Sequence, residues 1–396
     1  MQDLQTDIAI IGGGIAGLWA LNQLRNCGYS AILFEQENLG GYQTIASQGM
    51  IHGGVKYALG GSLSGGSEAI SAMPDLWRRC LRGEGKVDLR GTRVLSEDFF
   101  LWSGGSLTSR FTSFFASKML RGRVEKLQAD HFPPPLRDPQ FRGQVYRLVD
   151  LVLDVPSLVK TLAERHHEAI FRIDWQEAKL QRENGRASIV LPDCRVNPEC
   201  ILLCAGTGNE QLLEQLGAAG PAMQRRPLQQ VIVKHQYPEA LYAHCMGSNP
   251  SPRLTISSHH TSSGQPVWYL GGDLATEGVN DEPATLIAKA KRELDQLFPW
   301  LDFGECEWRT VKIDRAEPRQ SNLLKPDQAY VAPVDGVDNV LTAWPTKLTL
   351  CPNLADDIEL KLSAGNIHPK HTPDLTTLAK LGHPGLAPTL WDSLFS

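Results

Sequence analysis

The chain has 396 residues, of which 42% are hydrophobic and 21% are charged, and its formal net charge is −5. This length is enough for one large domain or two interleaved domains with a substantial core, and the acidic balance argues against a nucleic-acid-binding protein. No apolar run is long enough to predict a transmembrane helix, and the start lacks the features of a secretion signal, so we expect a cytoplasmic location.

The first predicted element is a buried parallel strand over residues 8–11, followed by glycines at the G-x-G-x-x-G spacing. Gly12 makes a tight turn, Gly14 lets the backbone approach a pyrophosphate, and Gly17 lets the next helix pack on the strand. That helix, over residues 15–25, offers N–H groups and a partial positive charge to phosphates. The pattern predicts a dinucleotide site that includes Gly12, Gly14, Ile15, Ala16 and Gly17.

Glu35 ends a second apolar strand over residues 30–35, where its carboxylate can accept hydrogen bonds from a ribose diol. Gln36, which follows it, is assigned to the same site. A glycine-rich stretch over residues 40–66 comes next and shows few helix signals. Within it, residues 60–66 form either a mobile loop over the active site or a flexible connection.

The rest of the chain contains irregular segments as well as predicted helices and strands. Residues 77–145 look irregular, except that residues 106–126 have apolar side chains at helical spacing with basic residues between them. This segment is either a helix on an anionic membrane or, as we favour, one packed on its own protein. The other predicted elements are a helix at 155–166, strands at 169–175, 178–182, 188–191 and 199–204, an antiparallel sheet within 231–273, a helix at 282–297, strands at 307–313 and 339–343, and a helix at 352–363.

This order places nucleotide-binding elements at both ends and in the middle, with the antiparallel elements inserted between them. We therefore expect two discontinuous domains with a ligand at their interface. The first, a nucleotide-binding domain, takes residues 1–75, 146–225 and 310–396. The second, a substrate domain, takes residues 76–145 and 226–309.

Eight cysteines are scattered without any C-x-x-C spacing, so reduced, packed thiols are expected rather than a redox pair or a metal site. No metal is predicted.

Four segments carry a resemblance to a known family. They are the glycine turn with Glu35, residues 46–57 (Ala-Ser-Gln-Gly-Met-Ile-His-Gly-Gly-Val-Lys-Tyr), the strand end Cys204-Ala-Gly206, and Thr346-Lys-Leu-Thr349 ahead of a helix. Together they resemble FAD-dependent oxidoreductases of the D-amino-acid oxidase, glycine oxidase and glycerol-3-phosphate dehydrogenase type. The resemblance covers nearly the whole chain.

The resemblance implies an α/β fold, in which a Rossmann-like FAD-binding domain of the glutathione-reductase type interleaves with an α+β substrate domain built on an antiparallel sheet. It implies FAD as the cofactor, bound non-covalently, with Cys351 and His52 the only candidates for a covalent link. It also implies that backbone near Lys347 stabilises negative charge on the reduced ring. The further FAD-binding residues that it implies are Ala46, Ser47, Gln48, Gly49, Met50, His52, Ala205, Gly206, Thr346, Lys347, Leu348 and Thr349.

The sequence departs from the family pattern where amine and amino-acid oxidases carry an Arg-Pro pair that clamps the substrate carboxylate. Glu317 precedes the proline here, and Arg315 and Arg319 flank the position. A bidentate clamp needs fixed geometry, so simple amino acids are disfavoured as substrates. Pro345 and Thr346 replace a glycine pair, and the charged helix of glycerol-3-phosphate dehydrogenases is missing after Tyr57, which disfavours that substrate too.

Candidate catalytic residues follow from the chemistry of oxidation, because alcohols need a base and free amines do not. His52 is the best base candidate, although it is equally well explained as a hydrogen-bonded neighbour of the ring. His259 and His260 can line the pocket, although an exposed turn is favoured. Trp268 and Tyr269 alternate along one strand, so only one of them can face the cavity, and a core position is the default for either. Trp344 is a possible pocket wall. The catalytic candidates are His52, Lys347, His259, Tyr269 and Arg319.

The prediction is an FAD-dependent oxidoreductase that oxidises a small amine or hydroxy compound by hydride transfer to flavin N5. The alternatives are a flavin-binding sensor or partner subunit with little catalysis, and an NAD-dependent dehydrogenase. The expected partners are a small-molecule substrate and an electron acceptor, with no nucleic acid and no favoured membrane contact.

Overall fold

The computed structural model describes residues 2–54, 70–104, 124–249, 251–320 and 328–395. The glycine-rich residues 60–66, the end of the segment at 55–57 and most of the proposed basic helix at 106–126 lie outside these ranges. Residues 124–126 of that proposed helix are described, and they form a strand instead.

The described strands are β1 (Gln2–Ile11), β2 (Ala31–Glu35), β3 (Met50–Ile51), β4 (Val94–Ser96), β5 (Phe99–Ser103), β6 (Val124–Lys126), β7 (Gln144–Leu148), β8 (Leu151–Leu153), β9 (Ile170–Arg172), β10 (Lys179–Glu183), β11 (Arg186–Val190), β12 (Cys194–Leu203), β13 (Met223–Lys234), β14 (Ala243–Met246), β15 (Pro252–His260), β16 (Pro266–Gly271), β17 (Glu307–Pro318), β18 (Tyr330–Pro333) and β19 (Val340–Trp344). The described α-helices are α1 (Ile15–Asn26), α2 (Met73–Leu81), α3 (Val155–Arg165), α4 (Asn209–Gln215), α5 (Asp273–Glu277), α6 (Pro283–Leu297), α7 (Cys351–Ala364) and α8 (Leu390–Phe395).

The first sheet has a parallel centre formed by β9, β2, β1, β12 and β19, in that order. Its central strands are buried on both faces, as expected for a parallel sheet covered on two sides. Helices α1, α3 and α7 pack on one face, and α4 packs on the other with β10 and β11. This arrangement is the predicted Rossmann-like layer.

The second sheet has the order β17-β13-β16-β15-β14-β5-β7-β6 among the described residues, and only β14 and β5 pair in parallel. One face buries its apolar side chains against α6, through Leu286, Ala290 and Leu294. The opposite face carries Ile232 and Tyr269 and packs against Trp391 of α8. Strands β4, β5 and β6 and the start of β7 fall within residues 77–145, which are therefore not as irregular as the sequence suggests.

A small antiparallel sheet of β3, β8 and β4 links the two larger ones. Met50 pairs with Val152 and Ile51 pairs with Leu151, so His52 comes opposite Asp150 at the next position. The fold class is the predicted one, an α/β nucleotide-binding layer with an interleaved antiparallel sheet. The exact domain limits stay a prediction, and the proposed limits at 225/226 and 309/310 fall inside β13 and β17.

Candidate functional site

The glycine turn after β1 leaves no room for a side chain at Gly12 or Gly17. Gly12 has φ +112°, and a Cβ atom on it would lie 2.7 Å from the Ala205 backbone. A Cβ on Gly17 would lie 2.0 Å from the Gly12 carbonyl oxygen. A Cβ on Gly14 would meet only the Thr44 hydroxyl, at 3.2 Å. Gly12 and Gly17 thus serve close packing, whereas Gly14 keeps one side of the turn open to a ligand.

The N-terminus of α1 has the backbone N–H groups expected of a phosphate-binding site. Gly14 is the N-cap and offers no side-chain acceptor, while the Ile15 N–H donates to the Thr44 hydroxyl at 3.0 Å. Ala16 and Gly17 complete the first turn, whose N–H groups have no acceptor within the helix. Sequence reasoning missed Thr44, because a threonine in a glycine-rich connection has no distinctive spacing.

Both oxygens of the Glu35 carboxylate are hydrogen-bonded, one of them to the glycine turn. One carboxylate oxygen accepts the Gly13 N–H at 2.6 Å, and the other accepts the Glu37 N–H at 2.8 Å. Each oxygen keeps a second lone pair with which it can accept a hydroxyl of a ribose. Gln36 is exposed beside it.

Residues 46–50 are tied to the buried face of the second sheet. The Gln48 side-chain amide donates to the Tyr269 carbonyl at 2.8 Å and to the Ser257 hydroxyl at 3.2 Å. The Tyr269 hydroxyl lies 2.6 Å from Gln230 Oε1. Ser47 accepts the Gly49 N–H, and Gly49 has φ +73°. Burial raises the pKa of Tyr269 well above its usual range, so this hydroxyl stays protonated.

His52 and Asp150 form a buried pair beside this segment. Nδ1 of His52 lies 3.1 Å from Asp150 Oδ2, and Asp150 Oδ1 accepts the Gly53 N–H at 2.7 Å. The imidazole stacks on His244 at 5.9 Å between ring centres and meets the edge of Phe99. Asp150 gave no signal in the sequence, because only the register of β3 and β8 brings it to His52.

The segment before α7 packs directly on the His52 segment. The Thr349 hydroxyl accepts the His52 N–H at 3.0 Å, and it lies 3.4 Å from the Met50 carbonyl oxygen. Thr346 has φ +61° and donates its hydroxyl to the Gln328 carbonyl. Lys347 and Leu348 lie between them, partly exposed. Two predicted cofactor segments that are 297 residues apart are thus in contact.

The strand end at Ala205 and Gly206 closes the same region. The Ala205 N–H donates to the Asn209 side chain, and Gly206 has φ +58°. The Trp344 indole donates to the Gly206 carbonyl at 3.3 Å. The turn therefore joins β12 to the last strand of the parallel layer.

The remaining catalytic candidates are placed differently. His259 is buried, hydrogen-bonded to Ser257 at 2.9 Å and stacked on Trp391 at 4.2 Å. Burial lowers its pKa to about 3, so the ring is neutral. The expectation of an exposed turn is wrong for His259, because α8 covers it, whereas His260 is exposed. Arg319 is exposed.

Glu317, which departs from the family's Arg-Pro pattern, pairs with an arginine on the neighbouring strand. Glu317 is fully buried and forms a bidentate ion pair with Arg226, with N–O distances of 2.9 and 2.5 Å. Arg315 donates through Nε to the Arg226 carbonyl, and burial, together with the Arg226 charge, lowers its pKa to about 10. Arg226 pairs with Glu317 across strands and was not predicted from the sequence.

The eight thiols are free, and burial raises the pKa of Cys204 to about 12. Cys351 is likewise buried with a raised pKa, so its thiol is protonated. Within the described residues, no group of three or more His, Cys, Asp or Glu side chains is arranged to hold a metal ion. In the same part of the chain, no helix is long and apolar enough to cross a membrane.

Comparison with known proteins gives a consistent result. The family model described as FAD dependent oxidoreductase (DAO) matches residues 7–315. The chain is 48% identical over its full length to the full length of the "Probable FAD-dependent oxidoreductase PA4991" of Pseudomonas aeruginosa. The crystal structure of that protein superposes with a TM-score of 0.86, covering 100% of both chains at 43% identity over the superposed residues.

Two more distant solved structures share the fold. Glycine oxidase from Geobacillus kaustophilus gives a TM-score of 0.66 at 15% identity, covering 96% of this chain and all of the other. L-α-glycerophosphate oxidase from Mycoplasma pneumoniae, with FAD bound, gives 0.63 at 14% identity, covering 98% and 100%. The open side of the glycine turn at Gly14, the first-turn N–H groups of α1 and the Glu35 lone pairs fit the adenosine diphosphate part of such a cofactor.

Proposed function

Because the chain belongs to the FAD-dependent oxidoreductase family, with FAD as its cofactor, we propose that it oxidises a small amine or hydroxy compound by hydride transfer to flavin N5. When bound, FAD would be the acceptor of the two electrons removed from the substrate. The protein residues would bind it along the glycine turn, the 46–50 segment, the Ala205–Gly206 turn and the Thr346–Thr349 turn. The division into FAD-binding and substrate domains at the expected limits is part of the same proposal.

The observation that carries the proposal is the contact between Thr349 and His52. It brings together the two segments that the family resemblance assigns to the flavin ring, and the His52 side chain also forms the buried pair with Asp150. A titratable imidazole at this position can accept a proton from the substrate. Lys347, on the same turn, would support negative charge on the reduced ring.

The ion pair of Glu317 and Arg226 restricts the range of substrates that the protein can bind. In amino-acid oxidases of this type the clamp position carries an arginine, whereas here a buried carboxylate occupies it and already holds Arg226. A second carboxylate placed near Glu317 would be repelled unless Arg315 or Arg226 neutralised it. Simple amino acids are therefore disfavoured.

The test is anaerobic reduction of the purified yellow holoenzyme by panels of amines, amino acids and hydroxy compounds. Loss of flavin absorption with at least one panel member supports the proposal. Protein that binds no flavin, or flavin that no member reduces, contradicts it and favours a sensor or partner subunit.

A further inference from the structure

We propose that the segment after α7, residues 366–395, acts as a C-terminal strap that holds the FAD site in its binding shape at the glycine turn and at the 46–50 segment. The proposal rests on the proposed function, which assigns both of these places to the cofactor. A chain terminus is usually mobile unless other elements tie it down. This terminus is tied first to the nucleotide-binding layer and then to the antiparallel sheet.

The strap begins at a buried carboxylate of β1. Asp7 Oδ1 accepts the N–H groups of Lys370 and His371, each at 3.1 Å, and Asp7 Oδ2 accepts the Ser30 N–H at 2.8 Å. Asp7 is fully buried, and a buried carboxylate is costly unless it keeps such donors. The start of the strap is therefore fixed beside the strand that leads into the glycine turn.

The middle of the strap is hydrogen-bonded to both sides of a residue that packs on the glycine turn. Leu39 donates its N–H to the Gly385 carbonyl at 2.7 Å, and its carbonyl accepts the Ala387 N–H at 2.9 Å. Leu39 is buried, and a Cβ atom on Gly13 would lie 2.5 Å from the Leu39 Cδ2 atom. The next residue, Gly40, donates to the Gly13 carbonyl at 2.8 Å. The strap therefore reaches the glycine turn through Leu39 and Gly40.

The end of the strap, helix α8, packs behind the hydrogen bonds that hold the 46–50 segment. Trp391 is buried and stacks on His259, with 4.2 Å between the ring centres. His259 Nε2 lies 2.9 Å from the Ser257 hydroxyl, which accepts the Gln48 amide at 3.2 Å. Removal of the indole would leave a cavity behind this row of hydrogen bonds.

These contacts raise the affinity for FAD by preorganisation. Residues 36–49, which join β2 to β3, form neither a helix nor a strand, so their shape depends on contacts from other parts of the chain. A loop that already has its bound shape loses less conformational entropy when the ligand binds. The strap supplies such contacts directly at Leu39 and indirectly, through α8, at Gln48.

The test measures the dissociation constants of the apoprotein for FAD and for ADP, which is the part of FAD assigned to the glycine turn. The change in flavin fluorescence reports FAD binding, and competition with FAD reports ADP binding. Ala387→Pro removes the N–H that the Leu39 carbonyl accepts. We expect it to raise both dissociation constants by the same factor, about threefold to tenfold, because one hydrogen bond beside the turn is lost.

Leu386→Pro is the matched control. The Leu386 N–H donates to no acceptor within the part of the chain that the structure describes, and the residue is 46% exposed. We expect this variant to bind both ligands as the native protein does. Equal losses of affinity in the two proline variants would overturn the role of the Leu39 hydrogen bonds.

Trp391→Ala tests the other end of the strap. It leaves the Leu39 contacts intact, so we expect a dissociation constant for FAD that is raised about tenfold and one for ADP that stays at the native value. Ser393→Ala, at an exposed position of the same helix, should change neither. A Trp391→Ala protein that loses ADP affinity as well, or that keeps its FAD affinity, would overturn the local action of α8.

Urea unfolding of the same apoproteins separates a positioning role from general stability. A purely structural segment would shift the unfolding midpoints and leave the dissociation constants of the folded protein at their native values. That result in both Ala387→Pro and Trp391→Ala would overturn the proposal.

Gly14→Ala distinguishes failure of the strap from failure of the assigned site. If Gly14→Ala loses FAD while Ala387→Pro and Trp391→Ala bind it as tightly as the native protein, the strap is overturned and the site stands. If Gly14→Ala binds FAD normally, the glycine turn is not the cofactor site, and the strap falls together with that part of the proposed function.

Discussion

The Tyr269 hydroxyl lies 3.1 Å from the Ala46 carbonyl oxygen, across 223 positions of sequence. This contact ties the antiparallel sheet to the segment assigned to the flavin. Tyr269 is fully buried and also meets Gln230, so its geometry indicates a structural link between the two layers.

We therefore expect Tyr269→Phe to lower the free energy of unfolding by about 1–3 kcal/mol, because buried acceptors lose their donor. FAD should be held less tightly, while the rate constant of flavin reduction at saturating substrate stays within a few-fold of the native value. Urea unfolding, flavin release and stopped-flow reduction measure the three quantities. A large fall in the rate constant with unchanged flavin affinity would instead make Tyr269 a catalytic residue.

Gly14→Ala should give a folded protein without flavin. The added methyl group meets only Thr44 within the protein, at 3.2 Å, but it would occupy the side of the turn that faces the phosphates. The ratio of flavin to protein absorption and the far-ultraviolet circular dichroism test this. Gly365→Ala, at the end of α7 where a Cβ lies at least 3.4 Å from other atoms, is the control and should keep its flavin.

Arg226→Met should destabilise the protein by about 3–5 kcal/mol, because it leaves the buried Glu317 carboxylate without its partner. The double variant with Glu317→Gln should recover part of that loss in urea unfolding. Arg225→Met is matched on the same strand but removes only exposed ion pairs, with an expected cost of about 0–1 kcal/mol. Equal losses of unfolding free energy in Arg226→Met and Arg225→Met would show that the buried pair stabilises the protein no more than the exposed pairs do.

His235 should make the fold sensitive to acid. Burial lowers its pKa to about 4, below the value of about 6.5 in an unfolded chain, so the unfolded state binds more protons between these limits. Stability from this group is therefore complete above about pH 6.5 and falls by up to about 3 kcal/mol as the pH drops toward 4.

In His235→Gln, the difference between urea midpoints at pH 7 and pH 4.5 should shrink. His368→Gln, at an exposed position, should leave that difference as it is in the native protein. An unchanged difference in His235→Gln would contradict the assignment.

The nucleotide-binding layer could be predicted from sequence because its signals are local. The glycine spacing, the apolar strand and the helix lie within about thirty residues, and helix α1 begins at Ile15 as expected. Helices α3, α6 and α7 end within a residue or two of their predicted limits. Strands β5, β6 and β7 were missed because they are only three to five residues long.

The decisive contacts of the candidate site were beyond sequence reasoning because they depend on pairing between distant strands. Asp150 reaches His52 through the register of β3 and β8, and Arg226 reaches Glu317 across β13 and β17. His259 was expected at an exposed turn because nothing in its own strand indicates that Trp391 covers it. Its role in the reaction, like those of Lys347 and Arg319, stays a prediction.

The order of the parallel strands has a consequence for synthesis of the protein. Strand β1 pairs with β12, and β12 with β19, so the layer begun by the first residues is completed only by residues 340–344. Strand β12 ends 137 residues before β19 begins, so at about 5–20 residues per second roughly 7–27 s pass between the synthesis of the two strands. During this time the exposed edge of β12 can pair with other chains, and we expect newly made protein to depend on chaperones until translation ends.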